Sequence, residues 1–120
     1  MNVLIIDDEE EIRKILSDIL LEERANVEAV NNGIDGIKYC RDHPVDLVIV
    51  DILLPGMDGI KVIEEIKKEQ PSAYIIGISA HANSRIILQA FKTGVQDFLE
   101  KPFSLKDFYK SFNNSYPNTY

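Results

Sequence analysis

The sequence predicts an α/β domain with a parallel five-stranded sheet and helices on both of its faces. Short apolar runs rich in valine and isoleucine alternate with longer stretches whose apolar residues recur every three or four positions. The runs begin near residues 2, 26, 46, 73 and 96, which corresponds to one strand and one helix in about every 24 residues. Such alternation is typical of parallel sheets with right-handed crossovers.

The ten elements are justified in chain order by their apolar patterns. Strands are predicted at residues 3–6, 27–30, 47–50, 74–78 and 98–99. The first, third and fourth helices are predicted from apolar faces formed by Ile12, Ile15, Leu16, Ile19 and Leu20, by Ile60, Val62, Ile63 and Ile66, and by Ile86, Ile87, Ala90 and Phe91. The second helix is predicted at 33–41 with Asn32 as its N-cap, and the last at 105–112 with Ser104 as its cap. The apolar face of the fourth helix is wide, so we expect one of its apolar side chains to be exposed.

Composition limits the possible functions. The chain has 120 residues, which supports one hydrophobic core and excludes two full-sized domains. The net charge of −7 argues against direct binding to nucleic-acid phosphates or anionic membranes. The single cysteine, Cys40, cannot form an internal disulfide, and no apolar stretch approaches the ~20 residues of a membrane span. We therefore expect a cytoplasmic protein.

Polar residues with the chemistry of a phosphoryl site follow four of the predicted strands. Asp7 and Asp8 follow the first strand, Asp51 the third, Ser79 ends the fourth and Lys101 follows the fifth. Ligands of open α/β sheets bind at the carboxyl ends of strands, so these side chains should share one pocket. Three carboxylates there repel one another, and a lysine together with a hard divalent cation such as Mg2+ would offset the repulsion. Such a site suits a phosphoryl group, with a carboxylate as the nucleophile.

Four motifs in chain order carry a resemblance to a known family. They are Asp7-Asp8-Glu9, the segment from Asp51 to Gly59, Ser79-Ala80 and Lys101-Pro102-Phe103. Together they resemble the receiver domain of bacterial two-component response regulators, which has the CheY-like, flavodoxin-like fold. The resemblance covers residues 1–112 and leaves 113–120 as a polar tail or the start of a linker. It implies the strand order 2-1-3-4-5, and a Gly59 that permits the tight turn into the third helix.

The resemblance also implies a role for each site residue. Asp51 is the expected phosphoacceptor, which takes its phosphoryl group from a histidine kinase or histidine phosphotransfer protein. Asp7, Asp8, Asp51 and the backbone carbonyl of Leu53 are expected to bind Mg2+, with Mn2+ as a substitute and Asp7 acting mostly through water. Lys101 is expected to pair with the acylphosphate, and Ser79 to bind a phosphoryl oxygen. Phe98 is expected to be the switch aromatic, and the peptide bond before Pro102 is expected to be cis. Such a domain phosphorylates and dephosphorylates itself and turns over no separate substrate, so it is not expected to be an enzyme.

Two further positions and two surfaces follow from the same resemblance. Leu53 and His81 occupy the positions that tune hydrolysis of the acylphosphate. Leu53 is apolar and cannot orient an attacking water, so we predict a long-lived phosphorylated state. The surface formed by the fourth helix, fifth strand and fifth helix is expected to bind a downstream protein or output domain, or a second copy in a phosphorylation-dependent homodimer. Its candidate residues are Ile87, Phe91, Phe98, Lys106 and Tyr109, whereas kinases are expected to dock near Ile12, Ile15 and Leu16.

Three alternatives are weaker. A phosphohydrolase of the haloacid dehalogenase type wants a second acid two residues after the nucleophile, where this chain has Leu53. A dinucleotide-binding module needs a glycine-rich turn after the first strand, where the acids at 7–10 would repel a pyrophosphate. A pseudo-receiver that only binds proteins would not need the intact set of three aspartates, a hydroxyl and a lysine.

Overall fold

Five parallel strands form one sheet in the order β2-β1-β3-β4-β5. The computed structural model describes residues 1–116. The strands are β1 (Asn2–Ile6), β2 (Asn26–Val30), β3 (Leu47–Asp51), β4 (Tyr74–Ser79) and β5 (Asp97–Glu100). β3 lies at the centre of the sheet and is buried along its whole length, as its continuously apolar sequence predicts. The fold class and the strand order predicted from the sequence are confirmed.

Five helices connect and follow the strands. They are α1 (Glu10–Glu22), α2 (Gly33–Asp42), α3 (Gly59–Glu69), α4 (Ser84–Thr93) and α5 (Leu105–Asn114). The predicted caps are confirmed, because Asn32 accepts a hydrogen bond from the Asp35 amide and Ser104 accepts one from the Asp107 amide. α5 continues two residues beyond its predicted end, so Asn113 and Asn114 belong to the helix. Residues 117–120 of the predicted tail lie outside the described part of the chain.

The two faces of the sheet carry separate hydrophobic cores. α2, α3 and α4 pack with Leu4, Ile6, Val48 and Val50 on one face. α1 and α5 pack on the other face, where Leu16, Leu20, Phe108 and Phe112 are buried. The prediction of helices on both faces of the sheet is thus confirmed. Within residues 1–116, no helix has the length and the apolar character needed to cross a membrane.

Helix faces differ from the predicted ones at their margins. Phe91 on α4 is 42% exposed, which confirms the expectation that one side chain of that wide apolar face would point outward. Leu88 on α4 is exposed as well. On α1, Ile15 is exposed although the pattern places it on the core face. Its neighbour Leu16 is fully buried, so the sheet covers a narrower stripe of α1 than the pattern indicates.

Two glycines shape the loop between β3 and α3 for different reasons. Gly56 has φ 71°, a left-handed conformation that glycine adopts at little cost. Gly59 begins α3, and a Cβ on it would collide with the backbone carbonyl of Ile52. Without a Cβ, Gly59 lets α3 begin close to the end of β3, in agreement with the tight turn expected there.

Candidate functional site

The site lies at the carboxyl ends of four neighbouring strands. Asp7 follows β1, Asp51 ends β3, Ser79 ends β4 and Lys101 follows β5. The register pairs Ile6 with Val50 and continues through β4 to β5. Residues far apart in the sequence therefore meet because parallel strands end on the same edge of the sheet.

Three carboxylates converge at this edge. Asp7, Asp8 and Asp51 each present an oxygen, and these oxygens lie within 4.8 Å of one another. Asp7 and Asp51 are buried, whereas Asp8 is exposed. Backbone amides hold the buried pair, because Glu9 donates to Asp7 Oδ1 at 2.8 Å and Leu53 donates to Asp51 Oδ1 at 2.8 Å. The second oxygen of each buried carboxylate, Oδ2, lies beside the ammonium of Lys101.

Lys101 supplies the positive charge between these acids. Its Nζ lies 2.8 Å from Asp51 Oδ2 and 2.8 Å from Asp7 Oδ2. Burial by itself lowers the pKa of a lysine, but the close carboxylates of Asp51 and Asp7 outweigh it and raise the pKa of Lys101 above its ordinary value. The ammonium is therefore a fixed charge. The peptide bond that follows it, between Lys101 and Pro102, is cis.

Asp7 shows that one lysine does not satisfy the site. Its buried Oδ2 forms an ion pair with Lys101 Nζ at 2.8 Å that is poorly aligned for a hydrogen bond, and no other residue within 1–116 donates to it. Burial raises the pKa of Asp7 despite the opposing effect of Lys101. Carboxylate oxygens are hard ligands of the kind that bind Mg2+ in proteins, and three of them converge here within 4.8 Å. The acidic cluster thus fits a divalent cation.

The other expected site residues surround this centre. Ser79 is fully buried, and its Oγ accepts a hydrogen bond from the His81 amide at 3.3 Å. Phe98 is half-buried and packs over Gly77, where an added Cβ would lie 3.2 Å from the ring. The side chains of Leu53 and His81 are exposed at the rim.

One contact at the site was not assigned from the sequence. Glu9 Oε1 lies 3.5 Å from Lys101 Nζ and forms a third ion pair with that ammonium. Its place directly after the acidic pair at the end of a strand was the available signal, because residues there share the edge with Lys101.

Comparison with known proteins identifies the family. Residues 3–113 match the family model of the response regulator receiver domain. The chain belongs to this family, the receiver domains of two-component systems, which confirms the resemblance seen in the sequence.

Individual relatives differ in how much of their length the chain covers. It is 42% identical over 106 residues to a putative NtrX-like response regulator of Rickettsia bellii, covering 87% of this chain but 22% of that protein. It is 34% identical over 114 residues to the chemotaxis protein CheY of Bacillus subtilis, covering 94% of this chain and 95% of that protein. Among solved structures, the beryllofluoride-activated NtrC4 receiver domain dimer is 32% identical, with a TM-score of 0.88 over 95% of this chain and 94% of that one.

Proposed function

We propose that this receiver domain accepts a phosphoryl group on Asp51 from a phosphohistidine of a sensor kinase or phosphotransfer protein, in a Mg2+-dependent reaction. The observation that carries the proposal is the position of Asp51 among the three acids. Asp7 is fully buried, which keeps a donor away from it, and Asp8 is exposed. The Asp51 side chain keeps 7% exposure, against none for Asp7, and contacts Lys101 directly.

The reaction transfers the phosphoryl group from nitrogen to oxygen. A carboxylate oxygen of Asp51 attacks phosphorus and forms the new P–O bond. The P–N bond breaks, and its electron pair leaves on the imidazole nitrogen, which takes up a proton. The Lys101 ammonium binds a phosphoryl oxygen and neutralises charge in the transition state. A Mg2+ ion held by Asp7, Asp8, Asp51 and the Leu53 carbonyl, with Mn2+ as a substitute, would add Lewis-acid charge neutralisation.

The same chain would reverse its own modification. Water attacks the phosphorus, and Asp51 leaves as a carboxylate, so no separate substrate is turned over. Leu53 and His81 are exposed, each two residues after a site residue, Asp51 or Ser79. The Leu53 side chain offers no acceptor to orient the water, which supports a comparatively long-lived phosphorylated state. A half-life of a few seconds would contradict this part of the proposal.

Phosphorylation would then change the surface formed by α4, β5 and α5. Ser79 Oγ would turn toward a phosphoryl oxygen, and the half-buried Phe98 ring would move further inward from its present place against Gly77. Support comes from the buried hydroxyl at the end of β4 and from the Phe98 ring on neighbouring β5, which packs against Gly77 of β4. The candidate contact residues on this surface are Ile87, Phe91, Phe98, Lys106 and Tyr109.

The partners are proposed from these surfaces and from the relatives. The chain spans 22% of the NtrX-like proteins, so an output domain of a longer protein is one candidate target of the α4–β5–α5 surface. The NtrC4 receiver dimer supports a phosphorylation-dependent homodimer as another. A kinase or phosphotransfer protein would dock on α1, where exposed Ile15 lines an apolar groove with Ile12, Pro102 and Phe103.

Incubation with acetyl phosphate tests the proposal. With Mg2+, intact mass spectrometry should show a gain of one phosphate for the wild type and no gain for Asp51→Asn. Asp42→Asn is the matched control, since it removes an exposed carboxylate at the end of α2 and should label like the wild type. Labelling should fall when Mg2+ is chelated. A wild type that gains no phosphate from any donor or kinase would favour a pseudo-receiver that only binds proteins.

A further inference from the structure

Glu9 is the solvent-exposed carboxylate that pairs with the Lys101 ammonium. The Glu9 side chain is 55% exposed, whereas that of Lys101 is only 7% exposed. Asp7 and Asp51 hold the ammonium from within the pocket, and Glu9 Oε1 holds it from outside at 3.5 Å. Of the three carboxylates paired with the ammonium, that of Glu9 is therefore the most exposed to solvent.

Among the described residues, the Glu9 side chain makes no hydrogen bond or ion pair other than the one with Lys101. Glu9 is the N-cap of α1, but its carboxylate makes no capping hydrogen bond there. Its backbone amide, not its side chain, donates to Asp7 Oδ1. A substitution of the side chain thus leaves both the support of Asp7 and the start of α1 in place.

We infer that Glu9 is a positioning residue that restrains Lys101 in the resting site and opposes the arrival of the phosphoryl group. The inference rests on the proposed phosphorylation of Asp51. In that reaction, Lys101 must bind phosphoryl oxygens, which compete with Glu9 for the same ammonium.

The geometry sets the size of the effect. Glu9 Oε1 and Asp51 Oδ2 contact the same nitrogen at 3.5 and 2.8 Å, so they lie within roughly 6 Å of each other. At that separation, an incoming dianionic phosphoryl group is repelled by the Glu9 carboxylate, with screening because Glu9 faces solvent. Neutralising Glu9 should accelerate phosphorylation roughly three- to tenfold.

The phosphorylation rates of variants at position 9 test the repulsion between Glu9 and the incoming phosphoryl group. Glu9→Gln keeps the length and the acceptor oxygen and removes the charge, while Glu9→Asp keeps the charge. Glu10→Gln is the matched control, since it removes an exposed carboxylate one residue further along α1. Phosphorylation by acetyl phosphate is followed by intact mass at low ionic strength. Calorimetry first gives the Mg2+ affinity of each variant, so that every rate is measured at saturation.

The expected result is a three- to tenfold faster rate for Glu9→Gln and a rate within twofold of the wild type for Glu10→Gln. Glu9→Asp should fall between them, because its shorter side chain keeps the charge but moves it away from Lys101. Added salt should shrink the advantage of Glu9→Gln, which a purely structural effect would not do. The inference is overturned if Glu9→Gln reacts no faster than Glu10→Gln, or if its advantage is independent of salt. Those outcomes leave the proposed function standing, whereas a wild type that never labels overturns both.

Discussion

Replacing Asp8 with asparagine should stabilise the protein in the absence of divalent cations. Asp8 presents an oxygen within 4.8 Å of oxygens from Asp7 and Asp51, and within residues 1–116 it has no ion pair with Lys101. At this distance a like-charge pair costs about 1 kcal/mol in water-like surroundings and about 3 kcal/mol at a dielectric of ~20. Asp8 is exposed, so the lower figure applies to each of its two pairs. After a partial offset from the more distant attraction to Lys101, we expect a gain of about 1–2 kcal/mol.

Thermal unfolding with a chelator measures the repulsion among the three carboxylates. The same experiment with added Mg2+ measures how much stability the bound cation adds. The gain corresponds to a rise of about 4–8 °C in the unfolding midpoint of Asp8→Asn. Mg2+ should then stabilise the wild type far more than the variant, because a ligand that binds only the folded state adds stability. Asp18→Asn, an exposed carboxylate on α1, is the control. The reasoning fails if the two variants have equal midpoints without metal, or if Mg2+ stabilises Asp8→Asn as much as the wild type.

Three further predictions concern stability. Gly59→Ala should lower the free energy of unfolding by about 3 kcal/mol, because the Cβ of the alanine would collide with the Ile52 carbonyl. Urea titrations measure this loss of stability, and a loss no larger than that of Gly56→Ala would count against the prediction. Arg24, two residues after the end of α1, has φ 63°. Arg24→Gly should therefore raise the same free energy by about 0.5–1 kcal/mol, and a decrease would show that no backbone strain is relieved. Burial raises the pKa of the Cys40 thiol from 9.0 to about 11, so the unfolded state loses its proton first as the pH rises. The stability of the wild type should therefore fall relative to Cys40→Ala between pH 9 and pH 11, by at most about 2 kcal/mol, and parallel pH curves would contradict this.

The fold could be predicted because the local patterns agree with one another. The apolar run of β3 is too short for a helix and has no polar face, which fits only a strand covered on both sides. Asn32 and Ser104 cap helices by local hydrogen bonds that depend on the sequence alone. The end of α5 was less predictable, since its last two residues, both asparagines, extend the helix without an apolar side chain to mark it.

The candidate site was predictable in its residues but not in all of its contacts. Parallel strands bring their carboxyl ends to one edge whatever the side-chain conformations, so Asp7, Asp51 and Lys101 had to meet. The contact of Glu9 with Lys101 depends on how the chain enters α1, which no periodicity encodes. The exposure of Ile15 likewise depends on how α1 rotates against the sheet. Tertiary packing decides both.

Chemical trapping of the acylphosphate tests the central claim most directly. The wild type is incubated with Mg2+ and acetyl phosphate and then reduced with borohydride, which converts a phosphorylated aspartate to homoserine. Peptide mass spectrometry then reads the position of the conversion. The account predicts homoserine at residue 51 and at no other aspartate. Homoserine at Asp7 or Asp8, or none at all in protein that has gained a phosphate, would contradict it.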